Sequence, residues 1–317
     1  MGKEMIVKAR SRPGGNRYTS RPTQPGAPAG VKPEDPPSSL VEVDLAAQSH
    51  AGNARANNED HYLVVRLERS LQTLLSDLPE GILPHSFDET AYGMVIADGM
   101  GGMPAGEVAS GMAVRALVDL VVKTPDWIMR MNRRKAAVVK RRLTRRFRQV
   151  DVALREHGEK DPRLTGMGTT MTVACSLGAD LFLAYIGDSR VYLLRGHELQ
   201  QLTRDHTMAQ ALIDAKVADA EDAVVHGMRR VLTDAIGSTL QPSDPEVRRL
   251  YLRHGDQVLL CTDGLTECVD SETIGSILRN AISADEACRA LIDAALRSGG
   301  NDDVTVVLAR YRFPQTA

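Results

Sequence analysis

The sequence predicts an α+β protein in which helices pack on the outer faces of an antiparallel β-sandwich. Apolar runs with strand character recur from residue 41 almost to the C-terminus, and several follow one another as hairpins. Long amphipathic segments interrupt them, so the helices come in groups rather than alternating with single strands.

Residues 1–40 hold Pro13, Pro22, Pro25, Pro28, Pro33, Pro36 and Pro37 and almost nothing to bury, so a disordered tail is expected there. The catalytic domain is then expected over 41–317. Val41, Val43 and Leu45 alternate with polar residues as in a strand, and Tyr62 to Val65 form a second β-rich run. The polar stretch at about 68–90 reads as a surface insertion before the buried strand Gly93-Met94-Val95-Ile96-Ala97. Residues 107–123 repeat Val108, Met112, Leu117, Leu120 and Val121 at helical spacing, and Pro125 ends that helix. A strongly basic helix is expected over about 126–156, with Met131, Val139, Leu143, Phe147, Val150 and Leu154 as its apolar stripe and its charges on a solvated face. Runs at 169–176, 179–186 and 191–194 then read as a meander, with Gly178 and Gly196 at turns. Two more strands, 256–262 and 304–310, bracket a helix at about 285–297.

Composition removes several function classes. The chain has 317 residues with 39 Lys and Arg against 41 Asp and Glu, and a formal net charge of −2 offers no general attraction to nucleic acid or an anionic membrane. The N-terminus is basic without an apolar leader, and no apolar run approaches the roughly 18 residues of a membrane span. A cytoplasmic monomer without membrane or nucleic-acid partners is therefore expected. Cys175, Cys261, Cys268 and Cys288 lie far apart, form no Cys-x-x-Cys pair, and read as buried free thiols. No cysteine has an arginine six positions on, which excludes thiol-based tyrosine phosphatases, and the Asn-His pair of calcineurin-like metallophosphoesterases is absent.

The chemistry-bearing signal is a set of acids at strand exits. Asp98, Asp188 and Asp263 each follow an apolar strand, while Glu59-Asp60 and Asp302-Asp303 each precede one. Asp before Gly is common in turns, so the set tells more than any member. Carboxylates crowded onto one centre repel unless cations compensate, and oxygen ligands favour hard ions such as Mg²⁺ or Mn²⁺. Two such ions about 4 Å apart can activate a water and clamp a phosphoryl group. Arg55 has the fork geometry to hold two phosphate oxygens, although a surface arginine is its plainer reading. Asp98-Gly99-Met100-Gly101-Gly102 lets backbone approach a ligand closely. Gly101 and Gly106 have P-loop spacing, but Glu107 stands where that motif needs lysine, which excludes a nucleotide-phosphate loop.

Arg55-Ala56-Asn57-Asn58-Glu59-Asp60, Asp98-Gly99-Met100-Gly101-Gly102, Gly187-Asp188-Ser189-Arg190, Thr262-Asp263-Gly264 and Asn301-Asp302-Asp303-Val304-Thr305, taken together and in this order, resemble the motifs of the type 2C protein phosphatases, in particular bacterial members. The resemblance runs from about 41 to 311 and implies a four-layer α/β/β/α sandwich with a central antiparallel β-sandwich flanked by helix pairs. It implies hydrolysis of protein phosphoserine and phosphothreonine by a water bridging two Mn²⁺ or Mg²⁺ ions. Asp60, Asp98, the Gly99 carbonyl, Asp263 and Asp302 become metal ligands, Glu59 acts through water, Asp188 helps hold a third metal, and Arg55 binds phosphate. The catalytic set so implied is Arg55, Asp60, Asp98 and Asp263. Phosphoproteins, products of a Ser/Thr kinase, become the expected partners, with a role in signal transduction. Residues at about 205–232 resemble the family's flap. Met100 stands where animal members carry a histidine proposed as general acid, so the leaving group is expected to be protonated by water at the metals. Asp303 replaces the usual asparagine beside the last ligand; it either strengthens metal binding or faces solvent, the second being the expectation.

Two other readings compete. A silent phosphoprotein-binding module would normally have lost metal ligands that this chain keeps. A scaffold would act through the basic helix and Pro-rich tail.

Overall fold

A computed structural model describes residues 38–75, 77–79, 85–101, 105–123, 133–219, 222–238 and 244–314, all within one compact unit spanning 35–317. Nearly all of the expected tail lies outside the described residues; from it only a short 3₁₀ turn, Ser38–Leu40, is described, leading into the first strand.

The chain order is β1 (Glu42–His50), β2 (Asp60–Gln72), β3 (Ser86–Met100), α1 (Ala105–Lys123), α2 (Arg133–Gly158), β4 (Gly168–Thr169), β5 (Met171–Leu177), β6 (Asp180–Ile186), β7 (Arg190–Arg195), β8 (Glu198–Gln201), α3 (Met208–Asp214), α4 (Ala223–Gly227), β9 (Glu246–Tyr251), β10 (Gln257–Cys261), α5 (Asp263–Thr266), α6 (Ser271–Asn280), α7 (Ala284–Arg297) and β11 (Val304–Arg312). One sheet runs β1-β11-β10-β7-β8 and the other β2-β3-β5-β6-β9, with β4 pairing β3 and every ladder antiparallel.

Three apolar layers hold the elements together. Met94, Ile96, Leu181, Leu183, Val191, Val258, Leu260 and Val307 fill the space between the sheets. Leu117, Leu143, Phe147, Val150 and Leu154 press α1 and α2 onto Val95, Val173 and Phe182 of one sheet. Ile274, Leu278, Leu291 and Ala295 press α6 and α7 onto Tyr192, Leu259 and Val306 of the other. Alternate side chains of each central strand thus face different layers, which is why β6 reads as a continuous apolar run from Leu181 to Ile186 and is buried at every position. The expected four-layer sandwich is the observed one.

Several elements differ from the sequence reading. Both ends of the stretch at 68–90 are strand, 68–72 in β2 and 86–90 in β3: the two pair without a break from Asp60↔Asp98 to Gln72↔Ser86, so those polar residues belong to one long hairpin. Polarity there reflects an arm whose two faces leave the helix layer behind, since Leu67 and Leu71 are exposed. The buried face of α1 carries Ala105, Gly106, Ala109, Ser110 and Ala113, with Leu117 as its one large apolar residue, because small side chains let the helix backbone approach β2 and β3. The basic helix is described from Arg133; its expected first residues, 126–132, lie outside the described residues. Helix α6, capped by Asp270 accepting from the Thr273 N–H, was not anticipated. Among the cysteines, Cys261 and Cys288 are buried as expected, but Cys175 and Cys268 are partly exposed.

Candidate metal centre

The strand ends bring the acids to one end of the sandwich. Asp60 opens β2 and is the direct cross-strand partner of Asp98 on β3. Asp263 follows β10 and Asp302 precedes β11, and those strands are neighbours in the opposite sheet. Asp188 sits in the turn from β6 to β7, where the chain passes between sheets, after Gly187 at φ +110°. A Cβ on Gly187 would stand 2.5 Å from the Thr170 side chain, so this turn requires glycine.

Hydrogen bonds tie the two sheets together beneath the acids. The Thr262 hydroxyl donates to Asp60 Oδ2 at 2.9 Å and accepts from the Thr305 N–H at 2.9 Å. Thr170 Oγ1 accepts from the Asp98 N–H at 3.1 Å and pairs with Ser189 Oγ at 2.9 Å. On the helix side, a Cβ on Gly99 would lie 2.1 Å from the Gly106 carbonyl oxygen, and one on Gly106 would lie 2.7 Å from Glu59 Cδ. Ser110 Oγ donates to the Glu59 carbonyl at 2.6 Å. Two glycines and a serine therefore seat α1 directly against the acids, leaving them little freedom to move apart.

A cavity of about 540 Å³ opens at this end. Arg55, Glu59, Asp98, Gly99, Asp188, Asp263 and Asp302 line it, and Asp60 is buried behind them. All eight sequence-derived site residues are thus brought together. Asp60 Oδ1 is buried without a hydrogen-bond partner. Burial, and then its charged neighbours, push the Asp60 carboxyl up to about 8 against the lowering effect of the Thr305 and Thr262 hydroxyls. Asp263 is raised to about 7 by burial, then by Glu267 and Asp302. Asp98 lies well above the usual carboxylate range through burial and repulsion from Asp60, Asp263, Asp188 and Asp302, and Asp188 does so through burial, Asp263 and Asp205. Arg55 answers part of this charge, with its guanidinium 2.5 Å from Asp302 Oδ1 and 3.8 Å from Glu59 Oε2. Burial opposes the Arg55 charge, but Asp302, Asp303, Glu59 and Asp98 more than offset it.

Among the described residues no three His, Cys, Asp or Glu side chains stand in a ready-made ligand shell. The donor set nevertheless fits hard divalent cations. It is rich in oxygen, includes the buried and unpartnered Asp60 Oδ1, and carries more negative charge than Arg55 offsets.

Three features were not anticipated. Asp303 does not face solvent; it is buried, and its Oδ2 accepts the Glu59 N–H at 2.8 Å. That contact fixes the backbone that carries Glu59 and Asp60. Arg230, at the end of the flap-like segment, lines the cavity and is held by Glu267, with Nε to Oε1 at 2.7 Å. Arg190 is clamped by Asp205, its Nε 3.0 Å from both carboxylate oxygens, so the Asp188 turn is tied to the root of the same segment. Among the described residues no histidine or cysteine lines the cavity, while Met100 does.

Known proteins resemble this chain in sequence and fold. The protein phosphatase 2C family model matches residues 96–304. The serine/threonine protein phosphatase PstP of Mycobacterium tuberculosis is 38% identical over 277 residues, covering 86% of this chain, and the chain spans 46% of that relative's length. The serine/threonine phosphatase stp of Listeria monocytogenes is 34% identical over 222 residues, 70% of this chain and 85% of the relative. The crystal structure of the M. tuberculosis PstP phosphatase superposes with a TM-score of 0.68 at 35% identity, over 86% of this chain and all of that one. The catalytic domain of PstP in complex with two manganese ions superposes at 0.66, with 33% identity over 86% of this chain and 99% of that one. With the family model spanning the chain from Ile96 in β3 to Val304 in β11, and acids from both sheets gathered on one cavity, the chain belongs to the protein phosphatase 2C family.

Proposed function

We propose that this chain hydrolyses phosphoserine and phosphothreonine in proteins with the help of two divalent cations, Mn²⁺ or Mg²⁺. Asp60, Asp98, the Gly99 carbonyl, Asp263 and Asp302 would hold them, with Glu59 acting through water and Asp188 offering a ligand to a third. When bound, the cations supply an activated water and neutralise charge on the phosphoryl group. Arg55, exposed at the cavity, would fork onto two phosphate oxygens and orient the ester. Arg230 adds a second positive charge at the cavity wall. Thr262, itself bonded by the Thr305 N–H, holds Asp60, while Thr170, paired with Ser189, holds the Asp98 backbone, so these groups keep the acids in place against mutual repulsion.

The observation that carries this reading is the unpartnered Asp60 Oδ1 inside a buried cluster of acids that lines an open cavity. Such crowding is costly unless cations share it. The expected result is Mn²⁺- or Mg²⁺-dependent hydrolysis of p-nitrophenyl phosphate and of phosphoserine and phosphothreonine peptides, abolished by Asp98→Asn or Asp263→Asn. Full activity in excess EDTA would overturn it. Phosphoproteins of a Ser/Thr kinase, a signalling role and a cytoplasmic setting belong to the same proposal. Among the described residues no helix is long and apolar enough to cross a membrane.

A further inference from the structure

Strand β2 is thirteen residues long and, among the described residues, stands at the end of its sheet with β3 as its strand neighbour. Its other edge therefore carries backbone N–H and C=O groups open to another strand. Leu63 packs under the α1–α2 layer, whereas Leu67 and Leu71, on the same face farther along, are 39% and 46% exposed. Beyond them Leu74 and Leu75 are 78% and 95% exposed. At the other end of the strand, Leu45, Ala46, Ala47, Tyr62, Leu63 and Val64 line an apolar cleft of about 360 Å³ between β1 and β2. One molecule thus presents a leucine-bearing arm and an apolar cleft on the same edge.

We propose that this edge pairs with β2 of a second copy of the chain, antiparallel and centred on Leu67. A two-fold axis perpendicular to the sheet keeps each side chain on its own face, so some residue must lie opposite its own counterpart. Centring on Arg66, Glu68 or Arg69 sets like charges against each other. Centring on Leu67 sets Arg66 opposite Glu68 twice over, Leu63 opposite Leu71, and Tyr62 opposite Gln72. That register also sets Ser70, Leu71 and Gln72 of each copy opposite Val64, Leu63 and Tyr62, at the edge of the other's apolar cleft. Edge strands are commonly protected by charges that repel a partner, but Arg66 and Glu68 are of opposite sign, 2.9 Å apart within one strand and more than half exposed. About Leu67 they attract a second copy rather than exclude it.

Sedimentation equilibrium of the full-length protein across a concentration series tests this. The wild type is expected to show a concentration-dependent dimer. Arg66→Glu, which sets glutamates opposite one another at two places, should weaken it about tenfold or more. The double variant Arg66→Glu/Glu68→Arg restores complementarity and should bring association back to the wild-type range. Thermal melts and hydrolysis of p-nitrophenyl phosphate by each variant verify that fold and cavity are intact. A wild type that is monomeric throughout, as when the chain's own N-terminal residues cover the edge, overturns the proposal. A dimer indifferent to Arg66→Glu, or not recovered by the double variant, overturns it equally.

Discussion

Asp60→Asn should stabilise the metal-stripped protein at alkaline pH while abolishing its phosphatase activity. Burial raises the Asp60 carboxyl from 3.8 to about 8, so the folded state holds this proton far more tightly than the unfolded chain. The sign follows: the stability is fully present below the unfolded value and is lost as pH climbs from about 4 to about 8. Four pKa units correspond to on the order of 5 kcal/mol for this one ionisation. Asparagine does not ionise, and its side-chain oxygen can still accept from the Thr262 hydroxyl that now donates to Asp60 at 2.9 Å. Its new amide N–H groups lack a buried partner at Oδ1, which returns about 1–3 kcal/mol. A net gain of a few kcal/mol at pH 8 remains, worth several degrees in melting temperature at roughly 2–4 °C per kcal/mol for a domain of this class. Urea denaturation in excess EDTA, for wild type and variant at pH 5 and pH 8, measures it directly. Asp263, Asp98 and Asp188 are raised in the same direction, so the stripped wild type should itself weaken with rising pH. A stripped wild type that strengthens from pH 5 to pH 8, or a variant no more stable than wild type at pH 8, refutes the electrostatic account.

Arg55→Lys keeps the charge but loses the planar fork, and should lower kcat/KM for phosphopeptides by about 10- to 100-fold, the equivalent of one charged hydrogen bond. Gly99→Ala places a Cβ 2.1 Å from the Gly106 carbonyl oxygen and should cost about 1–3 kcal/mol or more, read by urea denaturation in EDTA, because α1 must move off the strands. Asp303→Asn keeps an acceptor for the Glu59 N–H and should be close to neutral in the same assay, whereas Asp303→Ala strands that donor and should cost about 1–3 kcal/mol.

What the sequence disclosed and what it hid divide along the range of the physics involved. Layering was legible because burial on both faces writes itself into local composition, as in the apolar run Leu181–Ile186 of β6. The acids were legible because each stands where a strand ends, a local pattern that recurs even though Asp60 and Asp302 are far apart in the chain. Asp303 was not, since its partner is the N–H of Glu59 and nothing near residue 303 announces that contact. Arg230 was hidden for the same reason: its hold on Glu267 joins the flap-like segment to the turn after Asp263. The small face of α1 also escaped hydrophobic periodicity, because Gly106 and Ser110 matter there for how closely the backbone can come and not for apolar area. The hairpin misled in the opposite direction. Its outer half is polar because it stands clear of the core, yet it keeps the pairing of its inner half to the last residue. A strand that outruns the core it serves keeps its backbone pairing on one side and leaves the other edge open. The exposed leucines along β2 are therefore the place where the chain's local pattern and its packing disagree, and where contact with a second copy would reconcile them.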